Sequence, residues 1–289
     1  ILLRELGIGH AASNDIVNNR SESIIQLLNS PYSLLGTVPY FTLSNAENII
    51  KHLSLDISEE QKIEGILEYS IKEIERRYGH TSFYKNIVFK KFNEFFPIDQ
   101  NKLNTFVQDS KNFLITTEEN TEIITNRFSH ERDQLIANKL KDIQDKNIKK
   151  TKVKNISSIG KDFIVNVEQT EAIKMALNER LIVITGGPGT GKTTVISAIA
   201  KELKNKSINF ALTALTGKAA RRMKEIKGLQ DVETSTIHLL LVKAEANFKP
   251  NPIDQTLIID ESSMLDITLM HKLVKYMEKN TRLIFVGDV

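Results

Sequence analysis

The segment that most constrains this chain is Gly186–Thr193, which reads GGPGTGKT. It matches the pattern G-x-x-x-x-G-K-[ST], and it stands between an apolar run, Leu181–Thr185, and a segment with helical periodicity at 191–204. Glycines let the backbone wrap so that its N–H groups point at phosphate oxygens, and the helix start adds a positive dipole end. The segment therefore predicts a phosphate-binding loop rather than the alternative, a glycine-rich surface turn. The residues of this predicted nucleotide site are Gly186, Gly187, Pro188, Gly189, Thr190, Gly191, Lys192, Thr193 and Thr194.

Side-chain chemistry at this loop indicates ATP and Mg²⁺ as the cofactors. Lys192 is placed to contact the β- and γ-phosphates, and the Thr193 hydroxyl is placed to ligate Mg²⁺. A second metal-holding group is expected at the end of a neighbouring strand, and Asp260 follows the apolar run 257–259. Glu261 is then the candidate that orients and deprotonates the attacking water. The alternative for the acidic pair is an exposed turn after a buried strand.

Strands and helices alternate in the second half of the chain, which predicts βαβ crossovers and a buried parallel sheet. The predicted strands cover 181–185, 210–214, 256–260 and 283–286. The predicted helices cover 167–179, 191–204, 218–226, 236–242 and 266–278. The fold class predicted for this half is α/β.

The first half has helical spacing instead. A capping box, Ser58 with Gln61, precedes the apolar positions of one helix, and Gly79 is its predicted stop. Further predicted elements are helices within 13–28 and 44–55, a hairpin at 113–126 turning at 119–120, a helix at 130–145, and a polar linker at 146–161. The aromatic cluster Phe92, Phe95 and Phe96 lies at helical spacing and is predicted to be core rather than a base-stacking platform.

Composition excludes several classes of protein. The chain contains no cysteine, which excludes disulfides and thiolate metal sites and fits a cytoplasmic location. No apolar run reaches the roughly 18 residues of a membrane helix, so no membrane partner is expected. Residues 1–150 carry 19 basic and 21 acidic side chains, whereas residues 151–289 carry 20 and 15. The basic second half is therefore the candidate for a polyanionic partner.

Five segments occur in an order that resembles one family. They are GGPGTGKTT at 186–194, ALTGKAA at 214–220, TIHLL at 236–240, IDESSML at 259–265 and LIFVGD at 283–288. Together they resemble the first motor domain of RecD-like helicases of superfamily 1, which include the α chain of exodeoxyribonuclease V. NSPYSLL at 29–35 and Gly79-His80-Thr81 resemble the helical N-terminal region of the stand-alone RecD-like type, which carries helix-hairpin-helix elements.

This resemblance implies roles for further residues. Gln169 corresponds to a glutamine that reads adenine, and its alternative is an ordinary polar residue at a helix start. Thr216, Gly217 and Lys218 correspond to a grip on the backbone of single-stranded DNA, with a solvated helix start as the alternative. His238 corresponds to a DNA-contacting residue, with a buried core histidine as the alternative. Asp288 corresponds to a motif that couples nucleotide state to DNA.

The resemblance also implies an organisation and an activity. It implies a helix-hairpin-helix-like region at 1–98, a connecting segment at 99–160 and a RecA-like P-loop motor domain at 161–289, incomplete at its end. The parent protein is expected to be an ATP-dependent 5′ to 3′ DNA helicase of repair or recombination, with subunits of a nuclease complex as further partners. The family's second motor domain and its arginine are outside this sequence, so we expect negligible turnover from the chain alone.

Several alternatives and departures remain. The rival functions are a nucleotide-dependent clamp on single-stranded DNA that does not hydrolyse ATP, and a small-molecule kinase. Gly7 and Gly9 keep a hairpin-like glycine pair, with a plain interhelical turn as the alternative. The expected second hairpin, residues 38–44, has no glycine, so its capacity to bind phosphate is in doubt.

Overall fold

The computed structural model describes residues 2–19, 21–146, 165–225 and 229–288. The predicted linker at 146–161 therefore lies outside the described residues except for Lys146. The chain divides into two compact units, Ile1–Glu131 and Arg132–Val289. The segment predicted as a connector is shared between them, because residues 99–131 belong to the first unit.

The first unit begins with helices. They are α1 (Leu2–Glu5), α2 (His10–Asn19), α3 (Ser21–Asn29), a 3-10 helix at Pro31–Leu34, α4 (Leu43–Leu53) and α5 (Glu59–Tyr78). The predicted start and stop of α5 are confirmed: Ser58 and Gln61 form a reciprocal capping box, and Gly79 ends the helix in the left-handed region at φ 72°.

The two segments predicted as hairpins near the start are turns between helices, which fits a hairpin and a plain interhelical turn equally. Gly7 has φ 77° before α2, and Tyr40 has φ 61° before α4, so a tyrosine takes a left-handed conformation without glycine's freedom. The Thr42 N–H donates to Asn45 Oδ1 at 2.9 Å. That N–H is therefore already bonded, which supports the expectation that the second hairpin is a poor phosphate site.

The rest of the first unit adds β1 (Ser82–Tyr84), α6 (Lys85–Phe95), α7 (Gln100–Asp109), β2 (Phe113–Glu118) and β3 (Thr121–Asn126). The three strands are antiparallel in the order β1-β3-β2. With α5, α6 and α7 this is the topology of a winged helix. The predicted hairpin is confirmed, with Glu119 and Asn120 at φ 46° and 65°. The sequence analysis missed β1, because three residues are too few to show alternation.

The core of the first unit contains side chains from its N-terminal helices and from the strands and helices at 82–126. Phe92 is fully buried, while Phe95 and Phe96 pack against the same cluster, which confirms the prediction that these aromatics are core. Gly65 of α5 lies so close to Tyr32 that an added Cβ would stand 2.4 Å from the tyrosine Cβ. The 3-10 helix can therefore pack closely on α5 only because that position has no side chain.

The second unit is an α/β layer structure. Its helices are α8 (Arg127–Gln144, which starts in the first unit), α9 (Val167–Asn178), α10 (Lys192–Asn205), α11 (Gly217–Lys224), α12 (Ile237–Glu245) and α13 (Ile267–Lys275). Its strands are β4 (Leu181–Thr185), β5 (Phe210–Ala214), β6 (Thr234–Thr236), β7 (Thr256–Asp260) and β8 (Arg282–Gly287). All five strands are parallel, in the order β4-β8-β7-β5-β6.

This sheet confirms the predicted α/β class and its parallel strands. Two apolar clusters contain its buried side chains, one with Ile196 and Ile199 of α10, the other with Leu240 of α12 and Leu273 of α13. Ile136 and Ile143 of α8 belong to the second cluster. The short strand β6 was missed, since its polar sequence Thr-Ser-Thr carries no apolar signal.

Candidate nucleotide site

The functional residues converge because parallel strands end at one edge. Strands β4, β8 and β7 are neighbours, with Thr185 level with Gly287. The predicted loop follows β4, Asp288 follows β8, and Asp260 is the last residue of β7. A cleft of about 250 Å³ opens there. It is lined by Pro188, Lys192, Thr193, Ala219, Arg222, Met223, Asp260, Glu261 and Asp288.

The loop has the backbone that a phosphate cradle needs. Gly189 and Gly191 take positive φ, 76° and 85°. An added Cβ at Gly186 would stand 2.6 Å from Thr190 Oγ1, so that position also excludes a side chain. The N–H groups of Gly189 and Gly191 donate to no acceptor among the described residues. They remain available to an anion at the start of α10.

Lys192 is held across the loop that precedes it. Its Nζ donates to the carbonyl oxygens of Gly186 at 2.6 Å and Gly187 at 2.9 Å. The same nitrogen pairs with Asp288 Oδ1 at 2.6 Å. A phosphate in this loop would therefore compete with Asp288 for one ammonium group. The predicted coupling role of Asp288 stays a prediction.

Gln169 lies beside the loop but is already hydrogen-bonded. Its Oε1 accepts from the Asn166 N–H at 3.0 Å, which closes a capping box at the start of α9. Its Nε2 donates to the Thr190 carbonyl at 2.9 Å and stands 2.6 Å from where a Cβ on Gly191 would be. The residue supports the loop from outside the cleft. Its reading of adenine stays a prediction.

The acidic pair stands at the end of β7, half-buried. Burial raises the pKa of Asp260, with the charges of Glu261 and Asp288 adding to the rise, while the Glu261 N–H at 2.9 Å and Lys192 lower it. Mg²⁺ would supply the positive charge that this carboxylate needs, and it requires only one or two protein ligands because it keeps several waters. Thr193 and Asp260 both line the cleft and fit that requirement.

Glu261 takes the left-handed conformation at φ 55°, which is uncommon for a glutamate. The 3-10 turn that follows, Ser262–Met264, crosses the end of β8. An added Cβ on Gly287 would stand 2.9 Å from the Ser263 nitrogen, so only glycine permits this approach. The geometry turns Glu261 toward the cleft at the cost of backbone strain.

The residues predicted to contact DNA lie further along the same edge. Ala214 of β5 is level with Thr236 of β6, and the candidates follow these two positions. Thr216 caps α11 by accepting from the Ala219 N–H at 3.2 Å, and Gly217 and Lys218 are exposed beside it. His238 is also exposed, so the alternative of a buried core histidine does not hold. Contact with DNA stays a prediction for all four residues.

Arg222 is the lining residue that the sequence analysis missed. It lies three residues after Ala219 and next to Met223 in α11; these two are buried in the core, whereas Arg222 is exposed. Arg222 follows Lys218 by four residues in a helix whose charged residues are all basic, and that pattern is equally typical of a solvated face.

Two kinds of feature are absent from the described residues. They contain no group of three or more His, Asp or Glu that could hold a metal ion. None of the helices in the described part of the chain is long and apolar enough to cross a bilayer.

Comparison with known proteins agrees with the geometry. Residues 169–289 match the family model described as an AAA domain. The ATP-dependent RecD2 DNA helicase of Deinococcus radiodurans is 38% identical over 125 residues, covering 42% of this chain and 17% of that protein. The RecBCD enzyme subunit RecD of Buchnera aphidicola is 40% identical over 144 residues, covering 42% of this chain and 24% of that protein. The second half of this chain is similar to RecD proteins in sequence.

The RecD-like match has clear bounds. The matching part spans 17% to 27% of the length of these relatives, the last figure from the RecD subunit of Mycolicibacterium smegmatis at 34% identity. The crystal structure of the Pif1 helicase from Candida albicans aligns with a TM-score of 0.33 and 28% identity, over 44% of this chain and 33% of that one. The fold assignment of the RecD-like half rests on its own strand order.

Proposed function

We propose that this chain supplies the first motor domain of an ATP-dependent DNA helicase that acts in repair or recombination. One observation carries the proposal: Pro188 of the glycine loop, Lys192, Thr193, Asp260 and Glu261 line a single cleft at the carboxyl edge of a parallel sheet. The relatives named as DNA helicase and as RecBCD subunit support the substrate class.

The cleft suggests how the residues would act on Mg-ATP. The loop N–H groups and Lys192 would bind the β- and γ-phosphates as fixed positive groups. Thr193 and Asp260 would hold Mg²⁺, which neutralises phosphate charge. Glu261 would accept a proton from the water that attacks the terminal phosphate. Asp288, paired to Lys192 at 2.6 Å, would sense whether the phosphate is present.

Single-stranded DNA is the proposed partner at the exposed positions beyond β5 and β6. A Thr-Gly-Lys helix start offers N–H groups and one positive charge to a backbone phosphate. His238 would add an uncharged ring contact. Movement 5′ to 3′, a cytoplasmic location and association with nuclease subunits are part of the proposal and rest on the family resemblance.

The test is a pair of measurements on one preparation. Titration with a fluorescent ATP analogue should show Mg-dependent binding that Lys192→Ala abolishes. Phosphate release, with and without a single-stranded oligonucleotide, then separates a helicase motor from the rival clamp. Hydrolysis stimulated by DNA and lost in Glu261→Gln supports the motor. Binding of both ligands without any turnover supports the clamp, provided that turnover is also missing from a longer protein that includes the rest of the relatives' length.

A further inference from the structure

Helix α11 carries four basic residues and no acidic one. They are Lys218, Arg221, Arg222 and Lys224. Lys218 and Arg222 are four residues apart and therefore neighbours on one face, where like charges disfavour a helix. Such a face gains stability when an anion binds to it.

Arg222 differs from Arg221 in what it faces. Ala219, three residues before Arg222, and Met223, directly after it, line the cleft and are buried at 3% and 2% exposure. Those two contacts fix the helix backbone against the core, so the base of the Arg222 side chain has a set position. Both arginines are exposed, but Arg221 does not line the cleft.

The charges in the cleft leave a role for Arg222. The lining has two cations, Lys192 and Arg222, and three carboxylates. Lys192 is paired with Asp288 and with two loop carbonyls. The Arg222 guanidinium makes no ion pair or side-chain hydrogen bond with any described residue. Of the two cations in this lining, it is the one without a side-chain partner among the described residues.

We propose that Arg222 binds the terminal phosphate of the nucleotide, from the wall of the cleft that α11 forms. The proposal rests on the proposed function of the cleft and adds a phosphate contact within this chain. A guanidinium offers five donors in a planar fork that suits phosphate oxygens. Glu261, the candidate base for the attacking water, lines the same cleft.

The same helix then links two anions. Lys218 at its start is the candidate for a DNA phosphate, and Arg222 in its last turn meets the nucleotide. A shift of α11 on binding one anion would move the contact to the other.

The experiment compares Arg222→Ala with the matched control Arg221→Ala, which removes the same charge from the neighbouring position outside the cleft lining. Affinities for fluorescent analogues of Mg-ATP and Mg-ADP are measured in the full chain, with the thermal unfolding midpoint as a check of folding. Arg222→Ala should weaken Mg-ATP about tenfold and Mg-ADP less than about twofold. Arg221→Ala should change neither.

Three outcomes overturn the proposal. Equal Mg-ATP affinity in Arg222→Ala and Arg221→Ala shows that Arg222 does not contact nucleotide. An equal loss for Mg-ATP and Mg-ADP removes it from the terminal phosphate. Loss of single-stranded DNA affinity with unchanged nucleotide affinity assigns it to DNA instead.

Failure of the proposed function looks different. There the wild type would bind no Mg-ATP, or Lys192→Ala would bind it as tightly as the wild type. When wild type and Lys192→Ala behave as expected, the Arg222 result tests only the new contact.

Discussion

Two positive-φ glycines, one in each unit, have different surroundings. In the first unit, Gly79 at φ 72° ends a helix in open space, with no atom within 4 Å of an added Cβ. In the second, Gly191 at φ 85° starts α10 with Gln169 pressed against it. Both positions favour glycine because of the backbone conformation. Only Gly191 also has a side chain packed against it, and it lies in the predicted phosphate-binding loop. The contrast separates glycines that terminate structure from those that build a site.

The comparison extends to charge. In the first unit, lysines are paired with carboxylates across elements, as in Lys62 with Glu47 at 2.6 Å and Lys102 with Glu59 at 2.5 Å. In the second unit, α11 keeps a wholly basic surface. Anion binding is therefore expected to be concentrated in the second unit, and the following variants test that expectation.

The largest expected effect is that of Lys192→Ala. Removing the ammonium that faces the phosphates should lower the affinity for Mg-ATP by at least about a hundredfold, since a charged phosphate contact in a half-buried cleft is lost. Titration with a fluorescent ATP analogue measures it. Lys201→Ala, on an exposed position of the same helix, is the control and should bind normally. Equal affinities in Lys192→Ala and wild type would remove the loop from the site.

The next effect compares the two glycines directly. Gly191→Ala forces a Cβ to 2.6 Å from Gln169 Nε2 and strains the loop, so it should weaken Mg-ATP binding about tenfold. Gly79→Ala should leave nucleotide affinity unchanged and lower the free energy of unfolding by about 1 kcal/mol. Chemical denaturation and nucleotide titration are run on both. If Gly79→Ala also weakens Mg-ATP, the units are coupled and the contrast drawn here fails.

A smaller effect is expected on DNA. Lys218→Ala should weaken binding of a labelled single-stranded oligonucleotide several-fold and lower the salt slope by about one, because one phosphate contact is lost. His238→Ala should weaken binding with little change in slope, since a neutral ring releases no counterion. Anisotropy over a range of salt concentrations distinguishes them. Identical slopes in all three proteins would show that Lys218 touches no phosphate.

Sequence alone could predict the elements that carry strong local signals. The Ser58 capping box, the Glu119-Asn120 turn and the apolar strands of the second unit needed only propensity and periodicity. Strands β1 and β6 could not be found that way, because each is three residues long and acquires its conformation from a partner strand. The winged-helix order cannot be recognised without β1, so it could not be predicted from the sequence either.

The residues of the nucleotide site likewise divide into predictable and unpredictable ones. The loop and the acidic pair were predictable, because their residue types are fixed by phosphate and metal chemistry. That Arg222 lines the cleft was not, since an arginine in a basic helix is also typical of a solvated face. The hydrogen bonds of Gln169 could not be predicted from the sequence for a related reason. A glutamine three residues after Asn166 serves a helix cap as well as it serves a ligand.

The smallest expected effect tests the first unit alone. Ser58 Oγ accepts from the Gln61 N–H at 3.2 Å, and Gln61 Oε1 accepts from the Ser58 N–H at 2.9 Å. Ser58→Ala leaves the Gln61 N–H without its acceptor and should lower the free energy of unfolding by about 1 kcal/mol. Denaturation followed by circular dichroism measures the loss. Because no anion site depends on α5, nucleotide and DNA affinities should stay at wild-type values. A fall in either affinity would mean that the first unit takes part in the chemistry assigned here to the second.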